Sequence, residues 1–283
     1  MIPPDSKTKL YLLVGNPVDH SLSPSMHNAA FAALNINSVY LACPIQKTKL
    51  YAALEGIKAL SAAGANVTSP YKEAVIPFLD SISTESKLLR SVNTIINRNG
   101  RLYGESTDGE GFYRSLRETV PGFETNKGIM VVGAGGAARA AAYVMARNGA
   151  VRFTIVNRTP ENGYALSRLL IATAPAVKSD YLPLSRKEIR DALNNCQLII
   201  YGLPFDETEF IASVLEQESF YEEKFLFDFR YHPARTAVMS AFEKKGGLAF
   251  NGLNMLLWQA ALSFELFTGQ TAPVTVMRKV AAI

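Results

Sequence analysis

The sequence predicts an α/β protein of two domains, an N-terminal mainly parallel α/β unit followed by a doubly wound unit. Three observations predict this. Short apolar runs alternate with helix-like stretches from Leu10 to about residue 105, the rhythm of strand–helix–strand crossovers. A second strand–turn–helix series starts at "GIMVVGAGGAARAAAYVMARNGA", residues 128–150. No low-complexity linker or solenoid repeat lies between them, which places the junction on a short crossover near Gly109.

In order, the strands are "LYLLVG", "SVYLACPI", "GANVT" and "NTIIN", and the helices between them are "SPSMHNAAFAAL", "TKLYAALEGIKAL" and "SPYKEAVIPFLD". Asn99-Gly100 between "TIINR" and "RLYGES" is a strong hairpin signal and predicts one antiparallel pair in the first sheet. "DGEGFYRSLRETV" reads as the crossing helix. The second unit continues with the strands "VRFTIVN", "CQLIIYGLP", "KFLFDFRY" and "GGLAFNG". The apolar helix "NMLLWQAALSFELFTG" closes the chain, and its pattern suits either domain.

The 283 residues are 48% hydrophobic and 19% charged, a globular composition that excludes a disordered or fibrous chain. The formal charge of +4 comes from scattered basic residues, which argues against nucleic acid and suits small anionic ligands. Cys43 and Cys196 are the only cysteines. They are expected as two buried thiols, with no metal-ligand spacing around them. The start "MIPPDSKTKLYLLVG" lacks a signal-peptide core, and no apolar run reaches spanning length, so a cytoplasmic protein is expected, without metal or membrane partner.

"VVGAGGAARA" places Gly133, Gly135 and Gly136 between an apolar strand and an alanine-rich helix. Glycines allow a tight turn and close backbone approach, and a helix N-terminus presents free N–H groups to a pyrophosphate. The alternative is a bare structural turn. At the end of the next strand, "VNRT" offers Asn157 and Arg158 where an NAD site carries an acid. A guanidinium pairs with a 2′-phosphate that an acid would repel, so the cofactor reads as NADP.

Alternation puts Asn66 and Thr68 on one face of their strand, and Pro70 forces the exit before Lys72 opens a helix. Ser21 and Ser23 in "HSLSPSMHN", Asn93 in "SVNTIIN" and Asp108 in "GESTDGEGF" reach the same carboxyl edge, where open α/β sheets bind ligands. Singly, Ser23 and Asp108 read as helix caps and Lys72 as a solvated residue. Together they form a hydroxyl-rich pocket with one cation and one carboxylate, fit for a small polyhydroxylated acid.

"SLSPSMHN", "NVTSPYKEAV", "SVNTI", "TDGEGF", "GAGGAARA", "VNRT", "YHPARTAVMSAFEKKG" and "NGLNMLLWQAALSFELFTG" fall in the order of one family, and the chain resembles the shikimate dehydrogenases over nearly its whole length. The resemblance implies NADPH-dependent reduction of 3-dehydroshikimate to shikimate, on the route to chorismate and the aromatic amino acids. It also implies a substrate domain of residues 1–108 plus 253–283, completed by the C-terminal helix, and a Rossmann-type NADP domain of residues 109–252, in a monomer or homodimer. Carried over by residue, Ser21 and Ser23 hold the substrate carboxylate, with Thr68 and Tyr231 beside it. Lys72 and Asp108 form the catalytic pair, and Asn93 and Gln259 bind ring hydroxyls. Gly133, Ala134, Gly135, Gly136 and Ala137 match the cofactor site, as do Asn157, Arg158, Thr159, Gly252 and Met255.

Three positions depart from the family pattern: Ser106 stands before "TDG" in place of Asn, "YGLPF" with Leu203 and Pro204 replaces a more polar run, and Asn162 replaces a second basic residue. The last leaves Arg158 with less help on the 2′-phosphate. In the reaction, cationic Lys72 is expected to stabilise the developing alkoxide and supply its proton, while Asp108 favours the charged lysine and accepts a ring hydroxyl. His20 and His27 are the rival acid–base candidates. The competing readings are a quinate/shikimate dehydrogenase with relaxed nicotinamide use and a catalytically silent NADP-binding sensor.

Overall fold

The computed structural model describes residues 3–120, 123–203, 208–217 and 221–282. The chain divides into Met1–Gly111 with Leu256–Ile283, and Phe112–Met255. Both junctions fall inside helices.

In the first unit, β1 (Lys9–Gly15), β2 (Ser38–Pro44), β3 (Gly64–Val67), β4 (Ser81–Ile82), β5 (Thr94–Arg98) and β6 (Arg101–Glu105) form one sheet in the order β2-β1-β3-β5-β6-β4. β1 runs parallel to β2 and β3. β5 is antiparallel to both β3 and β6, so the sheet holds two antiparallel pairs where the hairpin signal predicted one. A single reversed strand between two others is antiparallel to each. Its turn is the Asn99-Gly100 pair, with φ of 54° and 83°, the left-handed geometry that a tight hairpin requires.

Alternation along β1 sends Tyr11 and Leu13 to one apolar cluster and Val14 to the other. The first cluster takes Met26 and Phe31 from α1 (Ser23–Ala33), Met277 from α11 (Val274–Ala281), and Leu257, Ala260, Ala261 and Phe264 from α10 (Leu253–Thr268). That spacing is one helical face, and it fixes the last helix on this unit. α2 (Leu50–Ala59) covers the opposite face with Leu50, Leu54 and Ile57. The expected helix after Pro70 is absent. Residues 72–75 are turns ending in a single 3-10 turn, Ile76–Phe78, because Pro70 and Pro77 punctuate a stretch too short to nucleate an α-helix between them. α3 (Thr84–Leu89) follows β4, and α4 (Asp108–Thr119) follows β6.

The second unit is an all-parallel Rossmann sheet. Its strands β7 (Ile129–Val132), β8 (Arg152–Asn157), β9 (Lys178–Pro183), β10 (Leu198–Tyr201), β11 (Phe225–Asp228) and β12 (Leu248–Asn251) lie in the order β12-β11-β10-β7-β8-β9. β7 alternates Ile129 and Val131 into one cluster with α5 (Gly136–Arg147) and α6 (Pro160–Thr173). Met130 and Val132 go to the other, with α7 (Arg186–Asn194), α8 (Thr208–Leu215) and α9 (Ala237–Glu243). α5 is buried nearly all round from Ala140 to Ala146, and its alanines let it lie close to its neighbours. Cys196 is buried as expected, but Cys43 is only partly so, at the end of edge strand β2. No helix among the described residues is long and apolar enough to cross a membrane.

Candidate active site

The polar residues of the first unit gather because of strand direction. Thr68 leaves β3 at its carboxyl end, and Asp108 follows the carboxyl end of β6. Asn93 precedes β5, and since β5 is reversed its start lies at that same edge. Lys72 is reached four residues beyond Thr68 through the turns, and its carbonyl accepts the Val92 N–H at 2.8 Å, tying the turn segment to the strand that follows Asn93.

Lys72 Nζ lies 2.7 Å from Asp108 Oδ2, with side chains 21% and 3% exposed. The carboxylate's other oxygen, Oδ1, accepts from Asn93 Nδ2 at 3.0 Å. The amide orientation follows from its neighbours. Asn93 Oδ1 accepts the backbone N–H of Thr107 at 2.8 Å, which only an oxygen can do, so Nδ2 must face Asp108. Nδ2 has three acceptors for two protons: Thr107 Oγ1 at 2.8 Å, Asp108 Oδ1, and Gln259 Oε1 at 3.2 Å. Gln259 is the longest and hence the weakest. Its own Nε2 donates to the Leu256 carbonyl at 2.8 Å. Asp108 also opens α4, where a carboxylate is favoured by the helix dipole.

Asn66 does not join this pocket. It is 6% exposed and faces inward, accepting from Tyr40 Oη at 2.9 Å and donating toward the Asn93 carbonyl at 3.0 Å and Ser263 Oγ at 2.9 Å. A buried amide must find partners, and these lie behind the site. Thr107 and Ser263, which complete that network, went unrecognised in the sequence because isolated hydroxyls carry no spacing signal.

Ser21 and Ser23 lie at the start of α1. Ser23 is not the helix cap: Leu22 holds that position without a side-chain bond, and Ser23 begins the helix proper. Ser21 Oγ accepts the Ser23 N–H at 3.3 Å. Thr68 is half-buried, and a Cβ at Gly15 would stand 2.2 Å from its Cγ2, so only glycine leaves that methyl its place. His27 is fully buried, stacked parallel on Tyr40 at 4.4 Å, and burial pushes its pKa down to about 3. It stays neutral and sealed off. His20 is exposed.

On the second unit, Gly133 has φ +102°, and a Cβ there would meet the Gly202 carbonyl oxygen at 3.0 Å. Ala134 is buried behind the turn. Gly135 caps α5 without a side chain, and no acid occupies the first turn formed by Gly136 and Ala137. A Cβ at Gly135 would meet nothing within 4 Å. An uncapped helix start with open space before it fits a dinucleotide pyrophosphate. Asn157 Nδ2 donates to the Thr159 carbonyl at 2.8 Å, shaping the turn that exposes Arg158 beyond β8. Asn162 is exposed on α6.

Gly252 is buried, and a Cβ there would stand 2.0 Å from the Phe229 carbonyl oxygen, so close backbone approach alone demands glycine. Met255 is 7% exposed within the core. Tyr231 follows β11, and burial raises its pKa, keeping the phenol a neutral donor. Of the departures, Ser106 Oγ is buried with no hydrogen-bond partner among the described residues, and Leu203 packs beside the second core cluster. Pro204 and Phe205 lie outside the described residues. Among the described residues, no group of three or more His, Cys, Asp or Glu could hold a metal ion.

A lysine–carboxylate pair among amides and hydroxyls, and a glycine turn heading a Rossmann sheet, are the parts from which dinucleotide-dependent oxidoreductases are built. Comparison with known proteins narrows the class. The family model for the shikimate dehydrogenase substrate binding domain matches residues 13–95, that for shikimate / quinate 5-dehydrogenase residues 116–229, and that for the shikimate 5′-dehydrogenase C-terminal domain residues 252–282. The NADP⁺ shikimate dehydrogenase of Moorella thermoacetica is 41% identical, covering 99% of this chain and 95% of its own. That of Methanopyrus kandleri is 38% identical, covering 97% and 95%. A crystal structure of a shikimate dehydrogenase with NADP⁺ superposes with a TM-score of 0.86 at 32% identity, covering 99% of this chain and 96% of that one. The chain belongs to the shikimate dehydrogenase family.

Proposed function

We propose that the protein catalyses the reversible NADPH-dependent reduction of 3-dehydroshikimate to shikimate. The observation that carries this reading is the Lys72–Asp108 pair at 2.7 Å, held among the amides of Asn93 and Gln259 at one sheet edge. The family membership and its NADP⁺-named relatives support the cofactor.

Ser21 and Ser23 offer hydroxyl donors to the substrate carboxylate, joined by Thr68 and the neutral phenol of Tyr231. Asn93 and Gln259 exchange their mutual 3.2 Å contact for ring hydroxyls. Asp108 accepts a ring hydroxyl and holds Lys72. The ammonium meets the oxygen on which negative charge grows, stabilises it and gives it a proton.

The backbone N–H groups of Gly135, Gly136 and Ala137 hold the pyrophosphate, with Gly133 and Ala134 shaping the turn. Arg158, flanked by Asn157 and Thr159, pairs with the 2′-phosphate, and Gly252 and Met255 complete the nucleotide side. When bound, NADPH supplies the hydride. The test is loss of NADPH absorbance with 3-dehydroshikimate. Turnover is expected, and tight NADPH binding without turnover would reject the reading.

A further inference from the structure

The loop at 229–236 carries Tyr231 between β11 and α9, and both of its ends are fastened to one carboxylate. Asp228, fully buried, closes β11. Its Oδ1 accepts the Arg230 backbone N–H at 3.0 Å and Arg230 Nε at 2.9 Å. Its Oδ2 accepts Arg230 Nη2 at 2.5 Å and Thr236 Oγ1 at 2.8 Å. Thr236 in turn accepts the Met239 N–H at 3.2 Å and so caps α9. The guanidinium is held on its remaining sides. Nη1 donates to Thr208 Oγ1 at 2.5 Å, and its carbon lies 4.9 Å above the Tyr201 ring, at the start of the "YGLPF" segment. The Arg230 carbonyl accepts the Gly252 N–H at 2.9 Å.

Such a bidentate pair, with side chains 12% and 1% exposed, has little freedom. Its cost in desolvation is a poor route to stability compared with apolar packing, which directs attention to what it holds in place. We propose that Asp228 and Arg230 are positioning residues that fix the orientation of Tyr231, and through it the grip on the substrate carboxylate. This rests on the substrate assignment of Tyr231 in the reading above. A hydrogen bond remote from the reacting carbon is made about equally in ground and transition states, so misplacing it raises KM and spares kcat.

The test is steady-state kinetics on the full chain with Arg230→Met, which keeps the apolar stem, and with the doubly neutral Asp228→Asn/Arg230→Met, which leaves no buried charge unpaired. Each is made in wild-type and Tyr231→Phe backgrounds, and an unchanged KM for NADPH shows that the nucleotide unit has folded. The expected result is a rise of roughly tenfold in KM for 3-dehydroshikimate with kcat within about twofold, and no further rise once Tyr231 is Phe. Equal rises in both backgrounds would overturn the clamp while leaving the proposed reaction standing. An unaltered KM in Tyr231→Phe alone would remove both the tyrosine assignment and the clamp. Absence of turnover in the wild type would instead sink the reading beneath them.

Discussion

Cofactor choice is testable at single residues. Arg158 projects from the end of β8, where an acid would exclude a 2′-phosphate, and Asn162 brings no second cation. Arg158→Ala should weaken NADPH by roughly 1.5–3 kcal/mol, the worth of a hydrogen bond to a charged group, and barely touch NADH. Titration with both nicotinamides checks this, and equal losses would reject the assignment. That Lys72, Asp108, Asn93 and Arg158 lie at or just beyond strand ends was legible in the sequence, because a proline, a glycine or a change of periodicity marks each place. Asp228 was equally exposed to view, an acid ending the apolar run "KFLFD". Its significance depends on two hydrogen-bonding neighbours, Arg230 and Thr236, that only the folded loop brings to it.

At the scale of elements, periodicity predicted well wherever a strand or helix buries a regular face. β1, β3, β8 and α1 lie within a residue or two of their expected bounds. It failed where context overrides pattern. "SPYKEAVIPFLD" has helical spacing, yet two prolines break it into turns, and Lys72 therefore stands on a turn rather than at a helix start. β4 has only two residues, too few for any pattern. The start of α5 offers a direct test of its role. Gly135→Asp meets open space, and an acid at a helix cap usually stabilises by about 0.3–1 kcal/mol. The variant should melt no lower than wild type but lose NADPH affinity at least tenfold, since its carboxylate opposes the pyrophosphate. Calorimetry of binding beside a thermal melt reads both, and unaltered affinity would move the cofactor away from this turn.

For the whole molecule, acid stability follows from a group with no part in the chemistry. His27 is sealed among Phe31, Tyr40, Phe264 and Phe267, with a pKa near 3 against an ordinary 6.5. Between those values the unfolded chain binds a proton that the native state refuses, so stability is unaffected above about pH 6.5 and falls as the pH drops. The loss approaches about 1.4 kcal/mol per pH unit, or about 2 kcal/mol by pH 5. His27→Phe keeps the stack and removes the titration, so its urea midpoint should decline less between pH 7.5 and pH 5. Parallel declines would show that His27 is not held neutral.

The account as a whole turns on one cation placed at a sheet edge to meet the charge that develops on the substrate. Lys72→Met retains the apolar stem and removes the ammonium, leaving Asp108 held by Asn93. NADPH oxidation with 3-dehydroshikimate, followed for wild type and Lys72→Met side by side, measures that placement directly. The wild type should turn over, and the variant should keep a near-normal KM while losing about 10²–10⁴-fold in kcat. A Lys72→Met enzyme with near-normal kcat would contradict the account.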